Sequence, residues 1–355
     1  MKSALARYGY LNAKLRGRLA NLRDSNVVGN VLSASNFLQA LDALEGTSYA
    51  PLADVYRKTG DLQMLEKALL EDEIAMRKEI CSSLDGQSSV VCGYFLTKIE
   101  MDNLKNIIRI WYDSNILGGS SGYRLNYIIR TRIENDVRWD DVINASTWDG
   151  IIKSLEGTAY HQTLSAFKQE DIEKDGLAYL EMSMDCWFYR SLLQAIAKLG
   201  PADRKAALCV EESDLDIKNI LILIRYCFYY GVPPERLKPL LLPGGHLYKD
   251  KALAACLDQD GIKAYLLKSY PKLNLDQIFS SDDKTQLLSR SLELERILAQ
   301  QRDKHYKEIL RGNPFTIGLV LSYFFRYDHY DNSIRVVLHG KYYNWPDDRI
   351  MEVLR

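Results

Sequence analysis

Long hydrophobic runs are missing from this chain of 355 residues. The two strongest, Ile220 to Ile224 and Ile317 to Phe325, fall far short of the roughly 18 to 20 apolar residues of a membrane span. The start, Met1-Lys2-Ser3-Ala4-Leu5-Ala6-Arg7, lacks the apolar core of a secretory leader, so a cytoplasmic protein is expected. No sign of charge dominates either. Forty-six Lys and Arg against 47 Asp and Glu leave a net charge of −1, so bulk charge points to neither nucleic acid nor an anionic membrane. Proline is scarce at nine residues, and with 47% apolar residues this excludes a disordered chain. Six cysteines (Cys81, Cys92, Cys186, Cys209, Cys227, Cys256) show no C-x-x-C spacing. Reduced, mostly buried thiols are expected, not a disulfide frame or a zinc site.

Catalytic motifs are absent too. The five histidines (His161, His246, His305, His329, His339) form no H-x-x-x-H or H-E-x-x-H, and no G-x-S-x-G elbow occurs. Gly118-Gly119-Ser120-Ser121-Gly122 lacks the lysine and hydroxyl of a phosphate-binding loop and reads as an inter-helix loop. Asp140-Asp141 imitates half of a magnesium-diphosphate site. Such chemistry needs further oxygen ligands from another helix, so aspartates at a helix start are favoured. Asp282-Asp283, another adjacent pair, reads as a loop before a helix. Asp328-His329 with Asp331 lies among aromatic residues and reads as a helix junction. The aromatic groups Tyr226 to Tyr230 and Tyr342 to Trp345 lack a basic field, so core packing is favoured over base stacking. No enzyme, cofactor or metal is expected.

What is present is repetition. Leu44-Glu45-Gly46-Thr47-Ser48-Tyr49 returns as Leu155-Glu156-Gly157-Thr158-Ala159-Tyr160, a step of 155 − 44 = 111 residues. Asp149-Gly150-Ile151 returns as Asp260-Gly261-Ile262, and Tyr270 answers Tyr160 after a one-residue deletion. Downstream, Lys105-Asn106-Ile107 recurs as Lys218-Asn219-Ile220, with a fainter echo in Asn332-Ser333-Ile334-Arg335. Three units are expected, over residues 1–133, 134–245 and 246–355. Helical periodicity dominates all three. Ala4, Tyr8, Leu11, Leu15, Leu19 and Leu22 form one stripe, and Leu104, Ile107, Ile108 and Trp111 another. Leu215 to Phe228 is apolar almost all round and predicts the most buried helix. Charged helices are predicted over Leu65 to Ile80, Leu177 to Ile196 and Leu287 to Leu310. The fold class is all-α: three helical bundles whose repetition suggests a pseudo-threefold body.

Asn106 and Asn219 interrupt apolar helix faces and are expected to satisfy buried backbone groups, with Lys105 and Lys218 as surface neighbours. Arg7, Lys14, Arg16 and Arg18 flank the first stripe. They are candidates for partner contact, although a solvated face covering a core edge is favoured.

The segment Tyr8-Gly9-Tyr10-Leu11-Asn12-Ala13-Lys14-Leu15-Arg16, the Asp102-x-x-Lys105-Asn106 helix with its second copy, and the series Ile334-Arg335, Gly340-Lys341, Pro346, Ile350 carry a resemblance. Along its whole length the chain resembles the C subunit of archaeal-type (A/V-type) rotary ATPases, the counterpart of the d subunit in eukaryotic vacuolar ATPases. It departs in the third unit, where Ser333 replaces the asparagine. The resemblance implies a non-catalytic funnel of three helical domains in the central rotor. One end of such a funnel receives the central shaft, and the other sits on the cytoplasmic loops of the proteolipid ring, so the protein is peripheral to the membrane. Two other classes are weighed against it: a general helical-repeat adaptor, whose usual repeats are far shorter than 111 residues, and a magnesium-dependent diphosphate enzyme built on Asp140 and Asp141.

Overall fold

The computed structural model describes residues 3–24, 26–256, 258–273, 275–279 and 284–354. Asp282 and Asp283, and the side chains of Leu22 and His305, lie outside the described residues. Among the described residues every regular element is helical, as the periodicity predicts. Eight principal helices are α1 (Ala4–Asp24), α2 (Leu62–Ser82), α3 (Gly86–Asn115), α4 (Ala178–Ala197), α5 (Pro201–Ile222), α6 (Lys284–Arg311), α7 (Gly318–Tyr342) and α8 (Asp347–Leu354). The charged helices predicted from sequence are α2, α4 and α6. The chain forms two compact units, one of Met1–His161 with Pro314–Arg355, the other of Gln162–Asn313.

The 111-residue step is recorded in helix caps. Short helices begin at Phe37, Trp148 and Gln259. Their N-cap side chains, Asn36, Thr147 and Asp258, each accept a hydrogen bond from the backbone N–H three residues on. The caps stand at steps of 147 − 36 = 111 and 258 − 147 = 111. The chemistry of capping tolerates Asn, Thr or Asp at this position, so identity is lost while the function persists. After the first two helices Gly46 and Gly157 adopt φ of +74° and +81°, the left-handed region that stops the helix before Tyr49 and Tyr160. The third copy has no such glycine; its helix runs on to Ser269, directly before Tyr270.

In the first unit, α1 buries Tyr8, Leu11 and Leu15, the middle of its predicted stripe, whereas Ala4 is exposed. Residues 27–69 build one core with Ile334, Val337 and Leu338 of α7 and Ile350 of α8. Sequence-distant ends of the chain therefore share one apolar interior. Asn344 at φ +55° and Pro346 end α7 and start α8, the turn that the proline predicts.

One expectation is corrected here. Cys81 and Cys92 are joined by a disulfide, with Cα atoms 5.5 Å apart. The tight connection from α2 to α3 folds the last turn of one helix against the second turn of the other. A separation of 11 residues therefore becomes a contact that C-x-x-C counting does not detect. Cys186 and Cys227 are buried thiols, Cys256 is half-buried and Cys209 is exposed.

In the second unit, Pro201 at the first helical position opens α5, where its missing N–H has no helical partner to lose. No residue from Leu215 to Phe228 is exposed, but six of these fourteen are only half-buried, and it is the stretch 316–324 entering α7, buried without interruption, that is the most enclosed. Leu223–Tyr229 continues α5 as a π-helix, packed in one core with Leu237, Leu247, Ile262, Leu266 and Leu298.

Candidate functional site

The residues that most distinguish this chain from a generic bundle are buried polar groups on the repeat helices. On α5, Asn219 is fully buried, and its amide meets one residue of the following segment twice. Nδ2 donates to Leu242 O at 3.0 Å, and Leu242 N donates to Oδ1 at 2.8 Å. One turn earlier, Asp216 accepts from Leu247 N at 2.9 Å and contacts His246 Nδ1 at 3.1 Å. Asparagine suits this role because it offers one donor and one acceptor side by side, the pair that an extended residue needs when removed from water.

The same device occurs on α3, but not at Asn106. Asn103 donates from Nδ2 to Ile129 O at 2.9 Å and accepts from Ile129 N at 3.0 Å. Glu100, fully buried, accepts from the N–H groups of Glu134 and Asn135, both at 2.9 Å. The helix residues recur at 219 − 103 = 116 and 216 − 100 = 116, and their backbone targets at 242 − 129 = 113 and 247 − 134 = 113. Each clamp is thus a carboxylate and an asparagine on one helical turn, fixing backbone five residues apart. Asn106 is exposed and accepts only from Arg109, at 3.1 Å. Lys105, expected at the surface, is buried, whereas Lys218 is half-buried and pairs with Asp214. The E-x-x-N pattern at Glu100 and D-x-x-N at Asp216 was the available signal. The more conspicuous Lys-Asn-Ile match obscured it.

Glycine lets the clamped backbone come close. Gly245, at φ +74°, passes so near Asp216 that an added Cβ would collide with the carboxylate. Pro243-Gly244-Gly245 is therefore laid against α5.

One repeat tyrosine bonds a clamp carboxylate, and the other two are influenced by an aspartate through its charge alone. Tyr160 donates to Glu100 at 2.8 Å, and burial together with Glu100 raises its pKa well above the ordinary tyrosine range. Tyr270 is likewise raised, by burial and then by Asp216. Tyr49 is raised by burial and then by Asp331 on α7. There Ser333 donates to His329 O of its own helix and clamps nothing. The chain turns from α7 directly into α8, so no extended segment follows for a third clamp to hold.

The cationic candidates point back into their own unit. Arg7 pairs with Asp85 at 3.0 Å, Arg18 with Glu79 at 2.7 Å and Lys14 with Glu79, while Arg16 bonds Asn12 at 2.7 Å. Lys14 and Arg18 together hold Glu79 below the usual carboxylate range. These contacts attach α1 to the α2–α3 hairpin, reinforced by Tyr8 to Ser88 at 2.8 Å.

The catalytic candidates are not brought together. Asp140 and Asp141 occupy the first turn of Trp139–Asn144, paired with Arg130 at 3.0 Å and Arg138 at 3.1 Å. His329 is exposed, while its neighbours Asp328 and Asp331 turn inward to Arg77 and Arg335. A groove of about 850 Å³ runs along α5, but its charged lining is largely self-paired: Arg302 with Asp214, Glu212 with Lys249, and Asp216 with His246.

Beside that groove, Glu211 is buried and Oε1 has no hydrogen-bond partner among the described residues. Burial, then Asp214, pushes its pKa up to about 8. Asp214 behaves oppositely: burial opposes its charge, but Lys218 and Arg302 hold it below its usual range. A raised carboxyl stabilises the fold below its unfolded pKa, and that contribution is lost as pH rises through about 8. Each pH unit in this window costs up to about 1.4 kcal/mol. Glu211→Gln is therefore expected to flatten the loss of second-unit stability between pH 5.5 and 8.5. Hydrogen exchange of α5 peptides in denaturant checks this, and an unchanged slope would refute it.

Residues 11–353 match the family described as ATP synthase (C/AC39) subunit. The chain is similar to the A-type ATP synthase C subunit of Methanosarcina mazei, 23% identical over 300 residues, covering 83% of this chain and 77% of that protein. It is similar to the protein of the same name from Archaeoglobus fulgidus, 26% identical over 302 residues, covering 83% and 80%. The Methanocaldococcus jannaschii protein of that name is 20% identical over 358 residues, covering 99% and 86%.

Proposed function

This chain belongs to the ATP synthase (C/AC39) subunit family, and on that premise we propose that it is a torque-transmitting socket in the central rotor of a rotary ATPase. Its place is between the central shaft subunits and the cytoplasmic loops of the proteolipid ring, with nucleotide and ion chemistry done elsewhere. The match over residues 11–353 carries this reading.

Three features support it. The clamps fix irregular segments to long helices through buried bonds, which resist deformation better than apolar contacts that can slide. The 111-residue caps support three homologous units, which we place at 1–133, 134–245 and 246–355 and arrange as a funnel about one axis. Among the described residues no helix is long and apolar enough to cross a membrane, as a peripheral component requires. Partner contacts made through mixed charges would weaken with salt.

Affinity purification of the tagged chain from native membranes tests the proposal. Shaft subunits and the proteolipid ring are expected to co-purify, and high salt is expected to release the chain without detergent. Recovery without either partner, or retention until detergent is added, would overturn the rotor assignment.

A further inference from the structure

The long helix of each repeat ends in the same way. A left-handed residue stops α3, the π-helical continuation of α5, and α7: Gly118 at φ +70°, Gly231 at +67° and Asn344 at +55°. They stand at steps of 231 − 118 = 113 and 344 − 231 = 113. The residue before each donates its N–H back into the helix. Leu117 donates to Tyr112 O at 3.1 Å, Tyr230 to Arg225 O at 2.9 Å and Tyr343 to His339 O at 2.9 Å. The residue after each does likewise. Gly119 donates to Asp113 O at 2.8 Å, Val232 to Tyr226 O at 2.8 Å and Trp345 to Gly340 O at 2.7 Å. This closure uses backbone alone, so it makes no demand on the side chains at 117, 230 and 343.

Those side chains are nevertheless large, apolar or aromatic, and turned to solvent. Leu117 is 63% exposed, Tyr230 64% and Tyr343 59%. One exposed apolar residue is ordinary. Its return at the same point of three helix ends, through a change from Leu to Tyr, is explained neither by packing nor by the cap. Neighbouring rings widen two of the points, with Tyr226 centred 5.6 Å from Tyr230 and Tyr342 5.1 Å from Tyr343. The carbonyl end of a helix also carries partial negative charge. Neither α3 nor the π-helix has a basic residue in its last turn, and in α7 Lys341 and His339 are taken by Asp347 and Glu66. Each point thus sets an apolar contact beside a helix end whose last turn, among the described residues, holds no free cation. That combination suits a partner loop bearing an apolar side chain and a lysine or arginine.

We propose that Leu117, Tyr230 and Tyr343 are equivalent docking points, each taking one basic loop of a partner that presents the same loop many times. A partner without internal repetition cannot meet three equivalent points alike, whereas a ring of identical subunits can. The inference rests on the rotor reading for the identity of that partner, the proteolipid ring. It rests on it for geometry too, since units related by rotation about one axis carry equivalent residues at one level along it.

Benzoylphenylalanine placed at 117, 230 or 343 of the full chain, and irradiated in native membranes, tests this. Each position is expected to give an adduct with the same polypeptide, the proteolipid, through a cytoplasmic-loop peptide containing Lys or Arg. The same probe in place of Asn106, exposed on α3, should not give that adduct. Leu117→Asp, Tyr230→Asp and Tyr343→Asp should each weaken retention on the membranes about tenfold, and leave the melting temperature of the isolated chain unchanged. Adducts of all three positions with one other repeating polypeptide would overturn the rotor reading and keep the three-point contact. Adducts with three different proteins, with lipid or with a second copy of this chain would overturn the three-point contact. So would their absence while the proteolipid still co-purifies, and in that case the rotor reading stands.

Discussion

Arg77→Met is expected to destabilise the first unit by about 2–4 kcal/mol, because it leaves the partly buried Glu73 and the more exposed Asp328 without their cation and strands the carbonyl of Phe95. Arg77 is buried in α2 and reaches three elements at once. It holds Glu73 and Asp328 at 2.6 Å, donates to Phe95 O of α3 at 3.1 Å, and lies over the Phe324 ring of α7 at 4.9 Å. Burial opposes its charge, but Asp328 and Glu73 outweigh that effect and raise its pKa. Met preserves much of the volume, so the measured loss reports mainly on charge and hydrogen bonds. Chemical denaturation at pH 7 checks it. Adding Glu73→Gln and Asp328→Asn should recover part of the loss, since a neutral trio no longer needs a cation. A cost below about 1 kcal/mol would mean that the α2–α7 seam is held by its apolar contacts alone.

The second large effect is expected at Asn219. Asn219→Ala removes both partners of Leu242 and strands a buried donor and acceptor, which should cost about 2–4 kcal/mol. Asn103→Ala should cost about as much by stranding Ile129. Asn106→Ala, at an exposed position, should change stability by less than about 0.5 kcal/mol. Measured side by side, these three substitutions distinguish the clamp from the sequence match. Equal effects at Asn103 and Asn106 would sink the idea that Asn103 is the structural equivalent of Asn219.

That contrast shows where sequence patterns lead and where they mislead. Lys105-Asn106-Ile107 matches Lys218-Asn219-Ile220 letter for letter, yet the working asparagine lies three residues earlier. Three residues turn a helix by about 300°, so Asn103 and Asn106 stand about 60° apart. Both border the same apolar face, and periodicity barely separates them. What separates them is the segment that crosses α3, and it comes from 26 residues downstream. In the third copy, by contrast, the change to Ser333 was visible in the sequence, and the structure supplies its reason: the chain turns from α7 directly into α8, so no extended segment follows for a clamp to hold.

The sequence by itself determined that this protein is helical, that its pattern returns every 111 residues, and that Leu215 to Phe228 leaves no residue exposed. Those properties follow from local spacing of apolar side chains, which burial rewards wherever the helix docks. The tertiary structure decided which polar residues are removed from water and by what. It joined Cys81 to Cys92, turned the basic flank of α1 toward Glu79 and Asp85, and left Asp331 without the donors that serve Glu100. Desolvation and hydrogen bonding depend on neighbours brought together by packing, and no spacing along the chain records them.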